Sequence, residues 1–511
     1  MNAINSHCMN KVRYILLLFL LSCSAFMHAR TFKEVARGSF WQESRNVSGI
    51  RTDSLSRSYA EAFGRYEAGG FRDTWQAPRT WSAGAVTASV RHFERMSLTG
   101  SFSFEQTEGY DMCGSMFIKP GYFPIDVLEF TPGRKTLQTY AFDGGIAYDI
   151  DGSWTIGVRM DFESSNLAKR KDLRHENWRM DMTVAPGVMY RNGGWALGFS
   201  PVFRKVAETI DAQQVGTAES SYYAFLDKGL MYGVRQVWTG SGVHLQEPGV
   251  GVNGLPLREY SYGGAVQVQY EGLFADFEIL GTNGLAGEKE YIWFEFPGIT
   301  MASQLRYRWG DGPREHNIRL DLDWKRQATD ESVLEKVSVN GITTVLNHGS
   351  NRILSKSSWH IAPEYEVLHE VMDMRVGMDF GMHEGVASQV YPYVYAQSLK
   401  DLAAYLELVF HYGRFDLGAK GTYGAGWLSE SERMASSESG VQSVPVRLQD
   451  WYDRQMEYRT ATRFRAEIML RYSFLNGLYL EADLVSTKAY RLKHIDDPQR
   501  FAATLKFGYN F

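Results

Sequence analysis

Apolar and polar residues alternate along most of this chain. Trp154, Ile156, Val158, Met160 and Phe162 alternate with Thr155, Gly157, Arg159 and Asp161. The same happens from Trp178 to Tyr190, from Ile318 to Trp324, from Met372 to Met382 and from Phe464 to Phe474. The final stretch reads RFAATLKFGYNF. Phe501, Ala503, Leu505, Phe507, Tyr509 and Phe511 share one register, and Ala502 is the only apolar residue in the other. A period of two predicts β-strands with one oily and one wet face. No helical pattern of the kind that would cover a parallel sheet runs between them. A soluble sandwich or propeller also alternates, but it leans on Val, Ile and Leu and turns tightly at both ends. Here the oily face is rich in Trp, Tyr, Phe and Met, with aromatics near strand ends, as in the interfacial girdles of membrane barrels.

Tight connections are expected at Glu94-Arg95, Asp151-Gly152, Asn192-Gly193, Glu271-Gly272, Asp311-Gly312, His369-Glu370, Gly413-Arg414 and Asn476-Gly477. Longer segments alternate with them: 70–82, 108–136, 165–177, 207–257, 282–300, 327–353, 384–400, 425–458 and 491–499. The strands between are 57–69, 83–93, 96–107, 137–150, 153–164, 178–191, 194–206, 258–271, 273–281, 301–309, 315–326, 354–368, 371–383, 401–412, 414–424, 459–473, 477–490 and 500–511. Residues 388–397 also look strand-like, but Pro392 sits mid-run, so they are assigned to a loop. A strand near Val337 to Leu346 would raise the count. The fold class is all-β: an antiparallel up-and-down transmembrane β-barrel of outer-membrane type, with eighteen strands inside a range of sixteen to twenty. That count puts both termini in the periplasm and every long loop outside.

The chain's start agrees. Lys11 and Arg13 precede an apolar run from Tyr14 to Phe26, which predicts a secretory signal over 1–29, cleaved after Ala25 or Ala29. No later run reaches the ~18 apolar residues of a membrane helix. Losing 1–29 removes two basic residues and no acid, so the formal charge of −5 becomes more negative and nothing favours nucleic acid. Cys8 and Cys23 leave with the signal, so Cys113 stands alone and neither a disulfide framework nor a cysteine metal site is expected. A mean hydropathy of −0.31 is far too polar for a helical membrane protein and suits strands with one wet face.

The aromatic ending, with Phe507, Tyr509 and Phe511, resembles the C-terminal signal read by the barrel-assembly machinery of Gram-negative bacteria. The terminal FGYNF, the KDLRHEN stretch (Lys171 to Asn177) and the RNVSGIR stretch (Arg45 to Arg51) together resemble outer-membrane barrel proteins of the Bacteroidetes. RNVSGI is also similar to the Asn-Pro-Ala segment that opens long-chain fatty-acid transporter barrels, with Val47 in place of the proline. These resemblances imply outer-membrane location, lipid contact and assembly by that machinery. They leave the substrate open.

Eighteen strands can enclose an aqueous lumen. The inward register carries both signs, and the lumen-lining candidates are Arg375, Asp379, Arg463, Arg465, Glu467, Arg471, Glu481 and Asp483. Neighbouring strands could pair these charges into a wetted wall. Alternatively, Arg463, Arg465 and Arg471 form a basic ladder that selects anions. About thirty residues separate the expected cleavage site from the first strand, leaving residues 30–56 as a short periplasmic or luminal extension, with no room for the plug domain of an energised receptor. Tyr222, Tyr223, Phe225, Tyr232 and Trp238 are candidate ligand contacts in loop 207–257, unless they serve that loop's own packing. Loop 425–458 reads as a solvated extracellular segment. Scattered His360, His369, His383 and His411, without GxSxG or HExxH, argue against an enzyme, and no cofactor is expected. The function expected is a passive pore or transporter for small solutes. The alternative is a non-conducting barrel that anchors or assists a surface uptake or secretion complex, with a lipoprotein or uptake-system partner.

Overall fold

The computed structural model describes Phe32 and residues 39–53, 56–213, 222–238, 254–288, 291–311, 314–340, 342–389, 393–433 and 446–511. Residues 1–29, expected as a secretory signal, and residues 30–31, 33–38 and 54–55 of the expected extension lie outside the described residues. Alternating sequence becomes one continuous wall of strands. In chain order these are β1 (Ser58–Gly69), β2 (Arg79–His92), β3 (Met96–Ser115), β4 (Asp126–Asp149), β5 (Trp154–Lys169), β6 (Arg174–Asn192) and β7 (Trp195–Gln213). After two short strands, β8 (Tyr222–Asp227) and β9 (Tyr232–Trp238), follow β10 (Leu255–Tyr270), β11 (Leu273–Glu288), β12 (Tyr291–Asp311), β13 (Arg314–Val339), β14 (Ile342–His369), β15 (Met372–Ala387), β16 (Val394–Tyr412) and β17 (Phe415–Arg433). A short β18 (Val446–Arg447) and helix α1 (Gln449–Thr460) precede β19 (Arg463–Ser473), β20 (Leu478–Ala489) and β21 (Gln499–Asn510). Without β8, β9 and β18 the wall is an eighteen-strand antiparallel barrel. It closes where β1 pairs β21, from Tyr59 opposite Asn510 to Gly69 opposite Arg500. The last residue takes part: Ser58 N donates to Phe511 O at 2.8 Å and Phe511 N to Ser58 O at 2.9 Å.

Each of the eighteen expected segments is a wall strand, but most run further at the loop end than expected. The apolar alternation marks only the lipid-facing stretch. Beyond the bilayer both faces are wet, and the backbone ladder continues without that pattern. Residues 327–353, expected as a loop, are therefore largely the outer half of the β13–β14 hairpin. Residues 388–397 were assigned to a loop, yet β16 begins at Val394; residues 390–392 lie outside the described residues. Residues 459–460, expected to open a strand, end α1 instead. Among the described residues the tight turns are where expected, while residue 312 of the expected Asp311-Gly312 turn lies outside them; Gly193 and Gly413 take φ of 59° and 61°, left-handed conformations that glycine adopts without a Cβ clash.

The outer face is the oily one. Trp154, Trp195, Met378, Ile468 and Leu505 are exposed on it. Cross-strand aromatic pairs ring both ends: Trp154–Tyr190 (4.8 Å), Trp195–Tyr270 (4.5 Å) and Phe415–Tyr472 (4.8 Å) beside the short turns, and Phe203–Tyr262 (5.3 Å) and Trp324–Trp359 (5.8 Å) towards the loops. Along β7, Trp195 and Phe203 are eight residues apart, about 20 Å of membrane normal for a tilted strand. That matches the apolar band of an outer-membrane barrel. The apolar core proper lies inside the barrel.

Candidate functional site: a partly filled lumen

Residues 39–53 run along the inner wall near the short-turn end as a strap. Asn46 is fully buried. Its Nδ2 donates to Val188 O at 2.9 Å and to Gln267 Oε1 at 3.1 Å, while its Oδ1 accepts from Ser48 N at 3.1 Å. That last bond caps the 3-10 turn Val47–Thr52. The wall admits this close approach through glycine: a Cβ on Gly187 would lie 2.2 Å from Asn46 Oδ1, and one on Gly145 2.5 Å from Val47 Cγ2. The charges flanking the cap fix the register. Arg45 reaches Asp161 at 2.7 Å and Glu278 at 3.0 Å, and Arg51 reaches Asp149 at 2.6 Å. Glu43 pairs with Arg306 and, at 3.0 Å, with Arg319. Burial alone would raise the Glu43 carboxyl, but the two arginines outweigh it and hold it below its ordinary range. Arg159 donates to Gln42 O and Ser44 O at 2.7 and 2.8 Å. Trp41 packs edge-on to Phe274 and donates to Gln269 at 2.6 Å. RNVSGIR is thus the sequence of a luminal docking motif.

The loop end is filled from the other side. Residues 116–125, between β3 and β4, fold inward and bury Phe117, Phe123 and Ile125 in a cluster that includes Val206, Ile210, Leu257 and Phe296. The hairpin β8–β9 pairs with the start of β4, Asp126–Glu129, and buries Phe225 and Leu226. Helix α1 covers that hairpin with Tyr452 and Met456. Loop 425–458 is therefore not simply solvated. The i, i+4 spacing of Tyr452 and Met456 in a stretch free of Gly and Pro was a legible helix signal. Of the candidate ligand-contact aromatics, Phe225 and Tyr232 are buried in packing; the side chains of Tyr222, Tyr223 and Trp238 lie outside those described. Buried charges lock the filling to the wall. Glu129 sits between Lys135 (3.1 Å) and Lys169 (2.5 Å), and Arg179 faces Glu208 at 3.4 Å. Removing one partner of such a buried pair costs roughly 3–5 kcal/mol.

One sector stays unfilled. A cavity of about 840 Å³ lies behind β1, β16, β17 and β19–β21. Arg463, Arg465, Glu467 and Asp483 border it. Phe71 and Tyr458, with ring centroids 5.0 Å apart, close the loop end. Arg463 donates to Tyr458 O and Arg459 O at 3.1 and 3.3 Å and so caps the carbonyl end of α1. Arg465 pairs with Glu467 at 3.0 Å, and Asp483 with Lys506 at 2.6 Å. Arg471 and Glu481 pair with each other at 2.6 Å in a buried chain of charges nearer the short turns, which also holds Asp416 and His411. Arg375 joins Glu366 (2.5 Å) to Glu407 (2.9 Å), and Asp379 binds His360 at 2.7 Å. Each of the three ladder arginines therefore has its own partner. His383 lies 3.7 Å from Asp401, and His411 lies between Asp373 and Asp416. Among the described residues no group of three or more His, Cys, Asp or Glu side chains is placed to hold a metal. Phe507, Tyr509 and Phe511 all point outward and are exposed on β21 and at its end.

Wall, girdles and inward-folded filling define an outer-membrane β-barrel whose termini lie on the periplasmic side and whose lumen is partly occluded. The chain belongs to the family of unknown function DUF6850, whose sequence profile spans residues 48–511, from the strap to the last residue. No curated protein matches it. It is similar in structure to the copper transporter OprC (7% identity, TM-score 0.39, 89% of this chain and 81% of that one). It is also similar to a Q482A mutant of the ferric enterobactin receptor PfeA of Pseudomonas aeruginosa in complex with enterobactin (8%, 0.40, 89% and 82%). A third likeness is to OccAB4 of Acinetobacter baumannii (9%, 0.31, 90% and 99%). Overlaps this loose carry neither mechanism nor substrate.

Proposed function

We propose that this protein is an outer-membrane transporter that passes small polar solutes passively along one side of its lumen. The observation that carries this reading is the 840 Å³ cavity, which runs from the roof at Phe71 and Tyr458 down to Glu407 and Lys506. Arg65, Lys420 and Arg465 face it together with Glu67, Glu407 and Glu467. A passage lined by both signs suits hydrated solutes and gives modest charge selectivity. It is hostile to a long acyl chain, so the likeness of RNVSGI to fatty-acid transporters extends to position only. The same proposal holds that 1–29 is cleaved, that 30–56 is a luminal extension of a Bacteroidetes-type barrel over 57–511, and that the barrel-assembly machinery inserts it.

The filled remainder of the lumen favours a second reading, a non-conducting barrel that anchors or assists a surface complex with a lipoprotein or uptake-system partner. Planar bilayers separate the two. The transporter gives ohmic steps without an energy source, and replacing Lys420 and Arg465 with glutamate shifts the reversal potential toward cations. Silent bilayers from correctly folded protein favour the second reading.

A further inference from the structure

A second cavity, of about 430 Å³, lies on the filled side of the lumen between segment 116–125, the β8–β9 hairpin, α1 and the inner faces of β13–β15. Three cations border it from three elements: Lys325 on β13, Lys356 on β14 and Arg459 on α1. Among the described residues none of the three makes an ion pair. Elsewhere in the lumen Arg45, Arg159, Arg204, Arg306, Arg319 and Arg375 are all paired with carboxylates. The lysines make long contacts to loop carbonyls, Lys325 Nζ to Tyr122 O and Lys356 Nζ to Pro124 O, both at 3.4 Å, and Lys325 Nζ also lies 5.1 Å from the centre of the Tyr122 ring.

Like charges held together away from bulk water repel each other and are costly without counter-charge. Asp73, Asp126, Asp227 and Glu384 also border the cavity, none of them in an ion pair with the three cations, and Asp126 and Asp227 stand opposite each other on the β4–β8 pair. The buried Phe123 and Ile125 also line the space. Burial pushes Asp227 up to about 6, which weakens it as a counter-ion for the three cations. Lys325, Ser358 and His383 also border an adjoining cavity of about 280 Å³ that reaches Arg45 of the strap. The combined space is roomy enough for a small organic solute.

We propose that Lys325, Lys356 and Arg459 form a binding site for a compact, multiply charged oxyanion, a polycarboxylate or a phosphate ester. The site is separate from the sector assigned to conduction and does not depend on it.

Calorimetric titration of the full folded chain in detergent at low salt tests this, with citrate as the carboxylate probe, pyrophosphate as the phosphate probe and putrescine as a cationic control. Saturable binding of at least one anion, and none of putrescine, is expected. Which anion binds identifies the head group. Lys325→Met and Lys356→Met should each weaken binding about tenfold, the usual loss for a charge-assisted hydrogen bond, while Lys420→Met in the other cavity leaves it unchanged. Where a lysine variant fails to fold, Arg459→Gln, on a helix outside the wall, should show the same loss. Absence of saturable binding of both anions overturns the site, as does equal binding of putrescine. Undiminished affinity in the folded variants overturns it too.

Discussion

Asn46→Ala should undock the strap and leave the barrel standing. The substitution removes the cap of the 3-10 turn, worth about 1 kcal/mol. It also removes the hydrogen bonds to Val188 O and Gln267 Oε1, which strands buried acceptors at a cost of about 1–3 kcal/mol. The total is roughly 2–4 kcal/mol. At about 1.4 kcal/mol per factor of ten, the lower figure already raises the population of the undocked strap about 30-fold. Amide hydrogen exchange read by mass spectrometry should therefore show residues 40–50 exchanging about 30-fold faster, with β21 amides unchanged. The strap makes none of the wall's strand pairings, so heat-modifiable migration on gels should persist. Unchanged protection of 40–50 in the variant would refute the docking described for RNVSGIR. Loss of the folded barrel would refute the independence of strap and wall.

Other outcomes follow from the same geometry. Met378 faces outward and Asp379 inward, so Met378→Arg should cost roughly 2–4 kcal/mol of barrel stability near mid-bilayer and Asp379→Arg far less, as measured by urea unfolding in lipid; equal losses would contradict the register. Deleting Phe511 removes the backbone pair with Ser58 that closes the wall and should lower the yield of heat-modifiable protein in the outer membrane, and a yield equal to the parent's would count against the terminal signal. The Glu43 carboxyl is held below its ordinary value of 4.5, so its contribution to strap docking is complete above that value and is lost as pH falls through the lowered one. Protection of residues 40–50 should stay flat from about pH 7 to 5 and fall on further acidification; a fall already between pH 7 and 5 would point to a different group.

The wall was legible because a bilayer imposes a strict rule. Residues such as Ile156, Met378 and Leu505 must be apolar where they meet lipid, and their neighbours Gly157, Asp379 and Lys506 need not be. Period two therefore survives wherever lipid touches the strand and vanishes where it does not, which is why the outer parts of β13, β14 and β17 were missed. The filling of the lumen obeys no such rule. Segment 116–125 reads as an ordinary loop; its Phe117, Phe123 and Ile125 have meaning only against Val206, Ile210 and Phe296, far away in sequence. The register assigns Arg463, Arg465, Glu467 and Asp483 to the inner face but says nothing of their partners. That Arg463 would cap α1 required knowing of the helix. Lys325 and Lys356 looked like any other inward charges, because a missing partner cannot be read from one chain's spacing.

The claim that solutes pass on one side only is tested most directly by site-specific block. In a Cys113→Ser background, a single cysteine at Thr504, which borders the 840 Å³ cavity, and another at Ser358, inward on β14 at the filled side, are each treated with a bulky thiol reagent while single-channel current is recorded. Modification at Thr504 should abolish or sharply reduce the ohmic steps, and modification at Ser358 should leave them unchanged. Full block from Ser358 with none from Thr504 would contradict the account.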